Sequence, residues 1–212
     1  LSQHQKTLEV VHKYATGAGF RSIDKLPNLA SQIITLRACR WSYIYMPKWT
    51  IILLILVVAA VFRLQGISST TPGLYPDEAM NGNNAIQALE TGDYKVFYPE
   101  NNGREGLSIN LQALSIGAFG KHIWALRIVS AIAGILTVFG LYLLAKQLFN
   151  WQIAALSSYL MAIAFWHVNF SRIGFRAILA PMLLVWGFYF IWRGLSTSRL
   201  SNFGISGIFW GL

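Results

Sequence analysis

PGLYPDEAMNGNNAIQALETGDYKVFYPENNGREG, residues 72–106, runs directly into LSINLQALSIGAF, residues 107–119, and the reading of this join decides the fold. The first part is the one long polar passage between hydrophobic runs. It carries six of the chain's eight acidic residues: Asp77, Glu78, Glu90, Asp93, Glu100 and Glu105. The second part looks like a membrane span but has about thirteen residues, where a span needs roughly 20. On a helix, Ser108, Gln112 and Ser115 form a polar stripe opposite Leu107, Leu111, Leu114 and Ala118. That pattern predicts a helix lying in the membrane interface rather than crossing the bilayer.

Working outward, the composition belongs to a membrane protein. The 212 residues are 55% hydrophobic and 12% charged, with a mean hydropathy of +0.48, whereas soluble domains carry roughly 25% charged residues. The net charge of +9 raises nucleic acid as a partner. The basic residues, however, are scattered at the ends of apolar runs, where they orient membrane segments, so nucleic acid is not expected. One cysteine, Cys39, excludes an internal disulfide framework.

Residues 1–48 are mixed and basic and read as a cytoplasmic segment, with Leu26, Leu29, Ile33 and Leu36 at roughly helical spacing. Trp49–Phe62 reads as an uncleaved signal anchor, with Lys48 and Arg63 snorkelling at its ends. Residues 49–212 then form one transmembrane domain, in which 67–123 is an external loop. If Leu107–Phe119 does not cross, Trp124–Leu144 runs inward to Lys146, Trp151–Phe170 returns outward, and Ile178–Trp192 goes back in. Phe203 starts another outward run. This order brings His167, Asn169, Arg172 and Arg176 to the external face. The chain begins at Leu1 and stops inside an apolar run, so we expect it to be part of a longer protein.

Within the loop, Asp77-Glu78 precedes an expected short helix, Ala79–Glu90. Asp77 suits a helix N-cap. A pair of adjacent carboxylates also suits a general base or a ligand for a divalent cation, with Asp77 the expected ligand. Arg104-Glu105 at the loop's end reads, taken alone, as a surface ion pair. Arg172 and Arg176 stand four apart, on one face if a helix continues through them. They serve either as interface anchors or as a phosphate clamp, since planar guanidinium forks match phosphate oxygens. His167 beside Trp166 reads as interfacial, and no Cys/His spacing suggests zinc.

These motifs together resemble a known family. PDEA at 76–79, GREG at 103–106, LQALSIGAFG at 111–120, LRIVSAIAGILTVFGLYLLAKQLF at 126–149 and FSRIGFRAILAP at 170–181 are similar to the bacterial polyprenyl-phosphate-sugar glycosyltransferases. These are membrane enzymes of the GT-C class (glycosyltransferase family 39), related to protein O-mannosyltransferases and to the lipid A aminoarabinose transferase. The resemblance spans about residues 49–195. It implies an all-α polytopic membrane fold with two juxtamembrane helices in the first external loop. It also implies a catalytic carboxylate at Asp77 with Glu78 beside it, and transfer of a hexosyl or pentosyl group with inversion in the cell envelope. Arg104, Glu105, Arg172 and Arg176 are then the expected substrate contacts. The donor would be a polyprenyl-phosphate sugar, and the acceptor a lipid, glycan or protein hydroxyl. Some relatives carry a metal-binding Asp just after the arginine pair. Here the text reads Arg176-Ala177-Ile178, without an acid.

Two other classes compete. A transporter or flippase of lipid-linked sugars would place ionisable groups in mid-bilayer near broken helices, whereas these spans read as clean. A structural subunit of an envelope assembly would tolerate replacement of Asp77 and Arg104.

Overall fold

The computed structural model describes residues 47–69, 73–100 and 103–212. The expected cytoplasmic segment and its surface helix lie outside the described residues, apart from the last two positions. Among the described residues the chain is almost entirely helical, as expected of an all-α membrane protein. The helices are α1 (Lys48–Leu64), α2 (Pro76–Thr91), α3 (Gly106–Phe119), α4 (Ile123–Leu148), α5 (Trp151–Ile163), α6 (Phe165–Arg172), α7 (Leu179–Thr197) and α8 (Leu200–Gly211). A short antiparallel ribbon, β1 (Phe97–Tyr98) with β2 (Arg104–Glu105), pairs Phe97 with Glu105 and Tyr98 with Arg104. The sequence pattern does not suggest it.

The 26-residue α4 is the hub and packs against α1, α3, α5, α6 and α7. Its buried positions are mostly small: Ala125, Ser130, Ala131, Ala133, Gly134, Thr137, Gly140 and Ala145. In lipid, where apolar surface alone does not drive helices together, small residues permit the close approach on which packing depends. Gly140 shows this, since a Cβ there would meet Val185 of α7 at 2.8 Å. Next to it, the Trp186 indole donates to the Leu136 carbonyl at 3.2 Å. Gly187 and Gly194 receive Trp210 and Phe203 in the same way and seat α8 on α7. Large apolar side chains such as Leu53, Val57, Leu136, Leu156, Leu184 and Ile208 point outward. This outward apolar surface is what a hydrocarbon solvent calls for.

By length and composition, Ile123–Leu148 and Arg176–Thr197 can cross a membrane. The expected single span from Trp151 to Phe170 is instead broken. α5 and α6 meet at Ala164 with a 55° bend. Arg63 sits in this break. Its Nη1 donates to the carbonyls of Ala59 at 3.0 Å and Ala162 at 2.9 Å, and its Nη2 donates to Met161 at 3.4 Å. The end of α5 thus obtains a cationic cap for carbonyls that the bend leaves without helical partners. His167 Nδ1 lies 2.7 Å from Nη2. A guanidinium only donates, so Nδ1 accepts and the imidazole proton is on Nε2. The expectation that Arg63 snorkels is therefore corrected: it is fully buried.

α3 stays short, at 14 residues. Its polar stripe faces protein rather than water. Ser108 and Gln112 are buried, and Ser115 donates to the Ala125 carbonyl at 2.6 Å. The face carrying Leu114 and Phe119 is the exposed one. That reverses the expected orientation of the stripe while giving the helix an apolar outer face. α2 and α3 share a core of Ala85, Ala88, Tyr98, Ile109, Ala113, Ile116 and Leu126.

Candidate functional site

α2 starts two residues earlier than an Asp77 cap requires. Tyr75 is the N-cap and Pro76 takes the first helical position, where its missing N–H costs nothing. Asp77 is therefore the second helical residue and Glu78 the third. Glu78 Oε2 accepts from the Tyr75 N–H at 3.4 Å. The capping function belongs to Glu78, not to Asp77 as expected.

Glu78 is also the buried half of an ion pair. Arg127 of α4 donates from Nε to Glu78 Oε1 at 2.6 Å and from Nη2 to Oε2 at 3.0 Å. The remaining donors of Arg127 reach the carbonyls of Ile67 and Gly73 at 2.9 Å each. One arginine thus ties the end of the segment after α1, the start of α2 and the hub helix together. In the sequence Arg127 reads as one more cation near the end of an apolar run. Its signal is the position one turn into a long apolar helix, where a cation needs a buried partner.

With both Glu78 oxygens held by Arg127, the Asp77-Glu78 pair does not offer two available carboxylates. Among the described residues no three His, Cys, Asp or Glu side chains gather as a metal-binding group. These residues do not by themselves form a multidentate cation site. Asp77 itself is half-buried and engaged in an interaction of its own.

Arg104 and Glu105 do not pair with each other. Successive residues of a strand face opposite sides, so Arg104 turns inward and Glu105 outward. Arg104 is 2% exposed and donates from Nη1 to Asn81 Oδ1 of α2, while its Nε and Nη2 have no partner. Glu105 Oε2 accepts from Arg176 Nη1 at 2.9 Å. Gly106, next in line, is fixed by its N–H to the Val96 carbonyl at 2.7 Å. A Cβ on Gly106 would collide with the Lys95 and Val96 carbonyls, so glycine is required there.

Arg172 and Arg176 do not share a helical face. α6 ends at Arg172, Gly174 turns in the left-handed region at φ 64°, and Arg176 opens a short 3-10 turn, Arg176–Ile178. Arg172 caps the end of α1, donating to Phe62 at 3.3 Å and Gln65 at 2.7 Å. The two arginines thus separate, one to a helix end and one to a groove. Gln112 Nε2 donates to the Gly174 carbonyl at 3.3 Å. A Cβ on Gly174 would stand 3.0 Å from Glu78 Oε1, which brings the start of α2 against this turn.

The groove beside Arg176 encloses about 430 Å³. Glu105 and Arg176 bring charge to it, and Leu107, Phe175, Leu179, Ala180, Leu183 and Leu212 give it apolar walls. Ser108 is buried with its hydroxyl unpartnered. A site with charge at one end and hydrocarbon along the rest suits an amphipathic ligand.

In comparison with known proteins, the family described as dolichyl-phosphate-mannose-protein mannosyltransferase matches residues 109–212. Arg127, His167, Arg172 and Arg176 fall within that match, and Asp77, Glu78, Arg104 and Glu105 precede it. Searches of curated proteins and of solved structures returned no significant match. The family match, on a chain with helices long and apolar enough to cross a membrane, supports a membrane glycosyltransferase of the GT-C type.

Proposed function

We propose that the chain transfers a sugar from a polyprenyl-phosphate donor to an acceptor hydroxyl at the extracytoplasmic face of the cell membrane. The observation that carries this reading is the groove of about 430 Å³. Its apolar length suits an isoprenoid chain, and its polar end suits the phosphate. The acceptor oxygen attacks the anomeric carbon with inversion, the bond from that carbon to the phosphate oxygen breaks, and the polyprenyl phosphate leaves with the electron pair. Asp77 takes the acceptor proton. Arg176 stabilises the charge that grows on the leaving phosphate, where fixed cations act most strongly. Glu78 acts indirectly, by holding the first turn of α2 against Arg127. Arg172 acts on the frame.

The experiment is transfer of radiolabelled sugar from purified polyprenyl-phosphate sugars by the intact protein and by Asp77→Asn. Asn keeps the size of the side chain and gives up the favourable charge in the first helical turn, about 0.3–1 kcal/mol. Folding should survive while turnover falls by roughly 10²–10⁴, the usual contribution of a general base. Near-normal turnover in a folded Asp77→Asn variant removes Asp77 from the chemistry.

The transporter reading gains one observation: the span interiors are not clean, because Arg63 and His167 lie buried beside a broken helix. Arg63, however, is largely satisfied by backbone carbonyls at the break, which is a structural use. Lipid-linked sugar moving across vesicles without any transfer would favour the transporter.

A further inference from the structure

Three elements meet at Gly174, and their meeting decides how Arg176 stands relative to Asp77. Gly174 lies in the left-handed region at φ 64°, and glycine imposes little conformational restraint of its own. Arg176 follows two residues later, so its place depends on what holds this turn from outside. On one side is the first turn of α2. A Cβ on Gly174 would stand 3.0 Å from Glu78 Oε1, and that carboxylate is itself held by Arg127 at 2.6 and 3.0 Å. On the other side is α3, from which Gln112 Nε2 donates to the Gly174 carbonyl at 3.3 Å. Beyond the turn, Phe175 stacks on Phe170 with ring centroids 5.4 Å apart, and Ile178 is buried. Apolar packing is not directional, so the Gln112 bond sets the turn's registration. Gln112 is 1% exposed, and its Oε1 has no partner. A buried acceptor left unpaired costs stability, so stability alone does not account for this side chain.

We propose that Gln112 is a positioning residue for the transfer reaction, a role that rests on the functional reading above. It holds the Gly174 turn against Glu78 and thereby keeps Arg176 at the groove. Asp77 adjoins Glu78 in the first turn of α2, so this registration also fixes the span between the proton acceptor and the guanidinium. Gln112 does not touch substrate, and its effect passes through Arg176. The Arg176 guanidinium is oriented by Glu105 Oε2 at 2.9 Å and the Gly103 carbonyl at 3.4 Å. Gln112 fixes the backbone that carries it. A displacement of about 1 Å in such a group costs on the order of 100-fold in rate.

The test uses the intact protein in nanodiscs and the radiolabelled polyprenyl-phosphate sugar that supports transfer. Gln112→Met keeps length and bulk and deletes the amide. Loss of the Gly174 bond and removal of the unpaired Oε1 act oppositely on stability, so the unfolding midpoint should stay near that of wild type. kcat/KM for the donor should fall roughly ten- to a hundredfold. Arg176→Gln should lower it too, and adding Gln112→Met to Arg176→Gln should lower it little further, because coupled residues are not additive. Gln112→Asn keeps the amide but is one methylene too short for Gly174, and should behave as Gln112→Met does. Normal kcat/KM in a folded Gln112 variant, or equal fold-losses from Gln112→Met with and without Arg176, overturns the positioning role and leaves the proposed function standing. Failure of both Gln112 variants to fold overturns it as well, since Gln112 would then serve the fold. Full activity in Arg176→Gln removes Arg176 and Gln112 together. If no polyprenyl-phosphate sugar supports transfer by wild type, the functional reading fails and the role of Gln112 with it.

Discussion

Asp77 and Glu78 are neighbours in sequence but do different work, because their side chains leave the first turn of α2 in different directions. Glu78 is 2% exposed and bound at both oxygens by Arg127, itself 1% exposed. A buried pair of this kind is not strongly stabilising against an apolar substitute, yet breaking it leaves an uncompensated charge. Glu78→Gln should therefore destabilise the protein by about 3–5 kcal/mol, seen as a lowered unfolding midpoint in detergent. Asp77→Asn should shift that midpoint little. A Glu78→Gln variant as stable as wild type would show that Arg127 finds compensation elsewhere, and its place as the tie between loop and hub would fall. Similar reasoning separates Arg104 from Glu105. The ribbon's alternation turns one inward to Asn81 and the other out to Arg176, so the adjacent letters R-E do not make an ion pair.

At the scale of elements, the bend between α5 and α6 is the informative feature. Neither Pro nor Gly stands at Ala164, and the residues around it form an unbroken apolar run. The bend persists because Arg63 reaches in from α1 to the Met161 and Ala162 carbonyls, and because Gly134 of α4 leaves room for it. A Cβ at Gly134 would clash with Ser171 Oγ and lie 2.9 Å from Arg63 Nε. Overpacking at such a point costs typically 1–3 kcal/mol, so Gly134→Ala should lower the unfolding midpoint. Arg63→Met keeps bulk but deprives buried carbonyls of their donor, at about 1–3 kcal/mol for each group left unpaired. The double variant should be less destabilised than the sum, because removing the guanidinium frees the space that the added methyl group would enter. Strict additivity would mean that the clash with Ser171, not with Arg63, sets the cost at Gly134.

For the whole molecule, the decisive question is whether the chain crosses the membrane between α2 and α4. At 14 residues α3 is short of a span, and it packs between α2 and α4 with its apolar face outward. Cysteines at Glu100 and at Lys121, in a Cys39→Ser background, should both react with an impermeant thiol reagent applied from outside. Labelling at Glu100 alone would make α3 a crossing segment and reverse every helix after it. Such labelling would be incompatible with the Arg176–Glu105 contact, which holds Arg176 on the side from which α3 starts, and would remove Arg176 from the site.

The sequence by itself determined the class of solvent, the approximate helices and the motifs that pointed to a GT-C glycosyltransferase. These follow from local quantities: apolar run length, charge at run ends, and the Pro-Asp and Gly-Arg-Glu-Gly signals. It also marked α3 as too short to cross, from length alone. Partner choice was decided only by the tertiary structure. Arg63 was indistinguishable from a snorkelling end residue, Arg127 from an orienting charge, and the Arg172–Arg176 spacing from a single helical face. A charged side chain surrounded by hydrocarbon must find a counter-charge or free carbonyls, and those partners come from helices distant in sequence. Glu78 lies 49 positions from Arg127, and Ala162 lies 99 from Arg63. No local pattern encodes such a meeting, because it depends on how closely α4's small residues let the other helices approach.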